Sequence, residues 1–212
     1  MIVHKMEQGS MEWFEIRNAK LTGSVLKDVG KSAEMKRIYT LIGEEGVGYV
    51  EQDDEYLSDA MLWGREMESL ARPHYEQSNN CKIIQSGFLQ PDNPDYHFFG
   101  LSPDGHIEEP DDSITGVEIK GLATWRHIQF IDTGKIPTDA QCNHLPQCMG
   151  WFLLDQRVQR VKFISHDERY ALKKQHVITL NRCDVLPQIE VMKIELDKFR
   201  AKWLQIREKV TF

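Results

Sequence analysis

Asp104, Glu118 and Lys120 bring two carboxylates and an ammonium into one short stretch. Asp104 sits in a Ser-Pro-Asp-Gly turn, and Glu118 and Lys120 flank Ile119 in the segment GVEIKGL, 116–122. Residues two apart on a strand leave the same face, so Glu118 and Lys120 project together. Ile119 turns into the core, while its backbone carbonyl can also reach a metal. Two carboxylates on neighbouring strands can grip a hard ion such as Mg²⁺, which takes carboxylate oxygen and water. Such an ion stabilises the charge of a phosphodiester under attack and lowers the pKa of a bound water. A lysine beside them orients that water or offsets developing negative charge. Asp, Glu and Lys are common residues, however, and a charged surface hairpin would carry the same pattern.

The elements around this pattern predict an α/β layered domain. Apolar residues recur at three- and four-residue steps over 54–77 (Leu57, Ala60, Trp63, Met67, Leu70, Ala71), which predicts a helix kinked or ended near Pro73. Strands are expected at 82–89, 96–102, 116–122 and 160–166. A further helix fits 138–154, with Thr138 as N-cap and a kink at Pro146. A long terminal helix begins near Asp184 and carries the stripe Leu186, Ile189, Met192, Leu196, Phe199, Trp203 and Ile206. The first 50 residues read as mostly helical, with a glycine-rich break from Gly43 to Gly48.

Length and composition fit one soluble domain. The chain has 212 residues, 41% hydrophobic and 28% charged, with no apolar run long enough to span a bilayer and no signal-peptide pattern. A cytoplasmic setting is therefore expected. The four cysteines form no C-x-x-C pair, so reduced thiols are the default. Cys142, His144 and Cys148 have spacing unlike the usual zinc patterns. The cysteines do not form an iron–sulfur set either. The formal net charge of −7 argues against a simple nucleic-acid coat but not against an enzyme with a local basic surface.

Four blocks in order resemble the phage lambda exonuclease family, the YqaJ-like viral recombinase branch of the PD-(D/E)XK nucleases. The first is QGSMEWFEIRNAKLTGS, 8–24, with Trp13, Arg17 and the turn Thr22-Gly23-Ser24, where Gly23 replaces the family's usual Ala. The second is WGREMESLAR, 63–72, whose Gly-x-x-x-Glu-x-x-Ala-Arg spacing selects Glu68 over Glu66. The third is GLSPDG…GVEIK. The fourth is IPTDAQCNHLPQCMGWFLL, 136–154, which places Gln147 where the family keeps a helical Gln.

The resemblance covers roughly residues 8 to 200. It implies a restriction-endonuclease-like core, a central mixed β-sheet flanked by helices, within a single domain spanning 1–212: a helical part over about 1–50, a nuclease core over about 54–170 and a terminal helix over about 184–210. It implies that Asp104, Glu118 and the Ile119 carbonyl hold Mg²⁺, with Mn²⁺ as a possible substitute. Glu68 adds a direct or indirect metal contact, Lys120 positions the attacking water, and Gln147 orients Lys120 or the water. Arg17 and Ser24 grip a 5′-terminal phosphate, a role that suits a bidentate guanidinium and a hydroxyl donor. Apart from the resemblance, Arg126, which follows Thr124 and Trp125, is a candidate contact to DNA backbone or the 5′-phosphate, with an ordinary surface role as the alternative. The activity implied is digestion of one strand of linear duplex DNA from its 5′ end, by a homotrimeric ring that works with a single-strand annealing protein. Other readings remain at this point: a restriction-type endonuclease with the same centre, or a DNA-end-binding accessory protein without hydrolysis. Individual residues have bland alternatives too. Arg17 could pair with Glu12 or Glu15, Glu68 with Arg72, and Gln147 could be an ordinary buried amide.

Overall fold

A computed structural model describes residues 1–49, 59–139 and 142–211. In chain order the elements are β1 (Ile2–His4), α1 (Met11–Arg17), β2 (Leu21–Thr22), α2 (Glu34–Val47), α3 (Asp59–Asn79), β3 (Phe88–Gln90), β4 (Phe99–Gly100), β5 (Gly105–Glu108) and β6 (Ile114–Lys120). There follow α4 (Thr124–Thr133), β7 (Thr138–Asp139), β8 (Cys142–Asn143), α5 (Leu145–Leu154), β9 (Val158–His166), β10 (Gln175–Asn181) and α6 (Leu186–Thr211).

The central sheet is mixed, in the order β10-β9-β6-β5. β6 pairs antiparallel with β5 and parallel with β9, and β9 pairs antiparallel with β10. The parallel pair needs a crossover connection, which α4, β7, β8 and α5 supply. Alternation along β6 assigns its two faces. Val117 and Ile119 join Ala71, Tyr75, Ile83, Ile107 and Ile164 in a cluster beneath α3. Residues 116 and 118 face α5 and the larger core, in which Trp151, Phe163 and Phe199 are fully buried. The sheet is thus a layer between helices, as the resemblance implied.

Several expectations change. α3 runs through Pro73 to Asn79; Pro73 lies on an exposed side of the helix, where water can satisfy the carbonyl that loses its partner. Leu57 and the rest of the expected helix start lie outside the described residues. The segment 138–154 is not one helix. Residues Thr138–Asp139 and Cys142–Asn143 pair as a short hairpin, and Asp139 Oδ1 accepts the Cys142 N–H at 3.0 Å. α5 begins only at Leu145, with Pro146 in its first turn, where its missing N–H costs nothing and no kink is needed. Thr138 is therefore not an N-cap. α2 passes through Gly43 and Gly46; the break comes at Gly48, whose φ of 77° suits a glycine ending a helix. The expected strands at 82–89 and 96–102 are shorter, represented by β3 and β4 with bridges at Ile84–His106 and Leu89–Leu101. The terminal helix follows a 3₁₀ turn at Arg182–Asp184 and starts at Leu186, and its stripe buries Ile189, Leu196 and Phe199. α4 and β10 had no counterpart in the sequence reading.

Candidate active site

The turn that carries Asp104 is shaped by Gly105. Its φ is 153°, and a Cβ there would lie 2.2 Å from the Ile83 Cγ2, so a side chain cannot be accommodated. The turn aims Asp104 at the end of β6. Its Oδ2 accepts the Ile119 N–H at 2.5 Å and the Lys120 ammonium at 3.2 Å. The same ammonium donates to Glu118 Oε2, also at 3.2 Å. The three residues of the sequence pattern therefore meet at one point, and the surface-hairpin alternative fails for them: the Glu118 side chain is 1% exposed.

Glu118 is held on all sides. Oε2 accepts from Gln147 Nε2 at 2.7 Å, and Oε1 accepts from Trp151 Nε1 at 2.9 Å. Both donors come from α5 and are four residues apart, hence on one face. Trp151 can approach because Gly116 has no side chain; a Cβ at that position would sit 2.5 Å from the indole. Burial pushes the Glu118 carboxyl up to about 7, with Asp104 adding to the rise while Lys120 and the Trp151 bond oppose it. Burial works against charge on Lys120, but Asp104 and Glu118 outweigh it and hold the ammonium well above its ordinary value.

Glu68 approaches from α3. Burial raises its carboxyl, Asp104 raises it further, and Arg72 and Lys120 oppose the rise. Its ion pair with Arg72 is present, as the bland alternative expected, and the charges of Asp104 and Lys120 also act on it. Arg72 also donates to the Asp104 carbonyl at 3.1 Å. Gln85, with its amide oxygen turned toward Arg72, accepts from both terminal nitrogens at 3.0 and 3.1 Å. Glu66 is exposed, and its backbone carbonyl accepts from Ser69.

Arg17 and Ser24 line one cavity of about 220 Å³, and Gln147 lines it too. Arg17 ends α1, which Ser10 caps by accepting the Trp13 N–H at 3.3 Å. Its guanidinium lies 3.7 Å from the centroid of the Trp13 ring. Ser102 and Gln8, which the sequence reading quoted without assigning them a role, share the cavity. The Ser102 Oγ is buried and meets no hydrogen-bond partner among the described residues, while Gln8 donates to the Pro103 carbonyl at 2.7 Å and steadies the turn before Asp104. Gly23, where the family's usual residue is Ala, is explained by crowding: a Cβ would lie 2.6 Å from Leu101 Cδ2. Arg126 is not part of this cavity's lining. It lies on α4, bound to Asp139 and 4.4 Å from the centroid of the Trp125 ring.

All four cysteines are free thiols. Among the described residues no group of three or more His, Cys, Asp or Glu side chains is arranged around a metal position; Cys148 lies on α5, whereas Cys142 lies on β8 and not on the helix expected there. The acidic stretch between the halves of the motif forms the β5–β6 turn, where Asp111 accepts from Ser113 and Glu109 accepts from Thr115 and Arg160.

A model of the YqaJ-like viral recombinase domain matches residues 12–150. The chain belongs to that family. Among solved structures it is similar to an alkaline exonuclease (LHK-Exo) from Laribacter hongkongensis, with 28% identity, a TM-score of 0.78, and coverage of 95% of this chain and 96% of that one. The same exonuclease in complex with dAMP matches at 26% identity and a TM-score of 0.73, over 94% and 97% of the two chains. No curated protein matches the sequence. These neighbours share the PD-(D/E)XK-like layered sheet. Among the described residues no helix is long and apolar enough to cross a membrane.

Proposed function

We propose that this YqaJ-family chain is a Mg²⁺-dependent exodeoxyribonuclease that degrades one strand of linear duplex DNA from its 5′ end and leaves a 3′ single-stranded tail. The observation that carries the reading is the convergence of Asp104 Oδ2 and Glu118 Oε2 on one cationic group, each 3.2 Å from Lys120 Nζ.

The donors fit a hard divalent ion. Asp104 Oδ1 accepts no hydrogen bond among the described residues, and the Ile119 carbonyl belongs to the same strand end. Two carboxylates and a carbonyl are few ligands, and that suits Mg²⁺, which keeps several waters; Mn²⁺ would bind the same oxygens. When bound, the ion supplies charge neutralisation at the phosphate and a more acidic water. Asp104 and Glu118 would hold it, with Glu68 acting directly or through a water. Lys120 orients the water and faces the developing negative charge. Gln147 and Trp151 fix the Glu118 carboxylate. Arg17, Ser24 and Ser102 offer a guanidinium and two hydroxyls to a terminal phosphate, and Gln147 links their cavity to the carboxylates. An end-phosphate pocket next to the cutting centre favours exonuclease over endonuclease action. The ring-shaped homotrimer and the annealing partner belong to the same proposal, on the strength of the family alone.

The test is digestion of linear duplex labelled at the 5′ or 3′ end of either strand, with and without Mg²⁺, beside covalently closed circles. Mg²⁺-dependent release of 5′ label as mononucleotide, with circles intact, is expected. Rapid cutting of circles would replace the exonuclease by an endonuclease, and binding without cleavage by an accessory protein. Asp104→Ala and Lys120→Ala are expected to abolish digestion; activity retained in both would remove these residues from the mechanism.

A further inference from the structure

Trp125 is the exposed tryptophan of the molecule. Its relative exposure is 59%, whereas Trp13, Trp63, Trp151 and Trp203 are buried or half-buried. It lies in the first turn of α4, five residues beyond Lys120. At no more than about 3.6 Å per residue, its Cα stays within about 18 Å of the Lys120 Cα. A large apolar ring left in water at that place calls for an occupant.

The ring is also held in position. Arg126 lies over it, with Cζ 4.4 Å from the ring centroid, and Arg126 is fixed in turn by two bonds to Asp139. The helix start is pinned from the other side, where Thr124 Oγ1 donates to the fully buried Asp167 at 2.5 Å. One face of the indole is therefore backed by an anchored guanidinium. Ile128, one turn along and 42% exposed, widens the apolar surface beside the ring.

We propose that Trp125, backed by Arg126, is a stacking platform for an unpaired nucleobase of the DNA strand engaged at the catalytic centre. A fixed aromatic ring stacks any base, because every base has a π-face, and the cation behind the ring adds to the attraction. Pre-set orientation means that little side-chain freedom is lost on binding. Arg126 then acts through the ring and not as a ligand of the terminal phosphate. The inference rests on the DNA-processing reading above and adds to it a contact for bases, where the Arg17 cavity contacts phosphate.

The test is a fluorescence titration with a short single-stranded oligodeoxynucleotide in the presence of a chelator, so that nothing is cut. Wild-type emission should be quenched. Trp125→Phe should keep the affinity within about threefold, measured by anisotropy of a labelled oligonucleotide, but lose most of the quench. Trp125→Leu should weaken binding by about fivefold to a hundredfold, the range for losing one stacked base. Equal affinity in the Leu and wild-type proteins, or an undiminished quench in the Phe variant, overturns the platform while leaving the nuclease reading in place. A changed oligomeric state of the Leu variant on sedimentation, with unchanged oligonucleotide affinity, overturns it in favour of a contact between copies of the chain. A wild-type protein that binds no DNA overturns both.

Discussion

Gln147 donates its amide to Glu118 at 2.7 Å, and with that bond it joins the carboxylate centre to the cavity lined by Arg17 and Ser24. One side chain on α5 thus borders both the group that would grip the end of a strand and the group that would cut it. Gln147→Ala should lower the Mg²⁺-dependent rate about tenfold to a hundredfold, the usual cost of losing a partner that orients a metal-binding carboxylate. Initial rates on 5′-labelled duplex over a range of Mg²⁺ should show both a weaker metal dependence and a lower plateau. A change confined to stability, with the rate per folded molecule intact, would make Gln147 an ordinary buried amide.

The protonation of Glu118 gives a second prediction. Burial holds its carboxyl up to about 7 against an ordinary 4.5. Between these values the metal-free folded chain binds more protons here than the unfolded chain, so this residue's contribution to stability falls as pH rises through that window. Metal binding needs the carboxylate and must displace the proton. Calorimetric titration with Mg²⁺ at about pH 6 should therefore show proton release, detected as heat that depends on the buffer's ionisation enthalpy, and much less at about pH 8.5. Glu118→Gln should abolish the difference, and cleavage by the wild type should climb through about pH 7.

Trp151 and Gly116 form a matched pair. The indole packs where a Cβ on residue 116 would be 2.5 Å away, and its N–H reaches Glu118 Oε1. Trp151→Phe keeps most of the packing and removes the donor. Because that bond favours the ionised carboxylate, the pH–rate profile should move to higher pH, with a thermal-melt loss of about 1–3 kcal/mol from the unsatisfied oxygen. Gly116→Ala should cost about 1–3 kcal/mol through overpacking and shift the profile the same way. A melt loss with an unmoved profile would confine Trp151 to packing.

The motif residues were legible because strand alternation dictates that Glu118 and Lys120 leave one face, and the structure obeys it. The partners that tune them were harder to see. Trp151 reads as core on any hydrophobicity count, and its N–H matters only once Gly116 lets it approach. Ser102 was quoted within the motif but had no role until the turn folded it toward Arg17. Arg72 was read only as a helix partner of Glu68, since its bond to the Asp104 carbonyl spans 32 residues. Among the elements, α4 escaped notice because Thr, Trp, His, Ile and Phe are poor helix formers. The β7–β8 pairing escaped because the apolar residues of α5 extend a helical pattern backwards, and only Pro146 marks the true start.

Arg17 carries the last prediction. Its guanidinium is stacked on Trp13 at 3.7 Å, which fixes its plane beside Ser24 and the buried Ser102 hydroxyl. If these three receive a terminal phosphate, Arg17→Ala should lower digestion of 5′-phosphorylated duplex about tenfold to a hundredfold, the effect of one charge-assisted hydrogen bond. Digestion of 5′-hydroxyl duplex should hardly change. Lysine should not rescue the activity, since it lacks both the fork and the stacking surface. Ser102→Ala should act in the same direction by a smaller factor, because a neutral hydroxyl is a weaker donor to phosphate. The measurement is the ratio of initial rates on phosphorylated and hydroxyl ends for each variant. A ratio equal to that of the wild type in Arg17→Ala would remove the cavity from end recognition and leave Arg17 as a packing partner of Trp13 on α1.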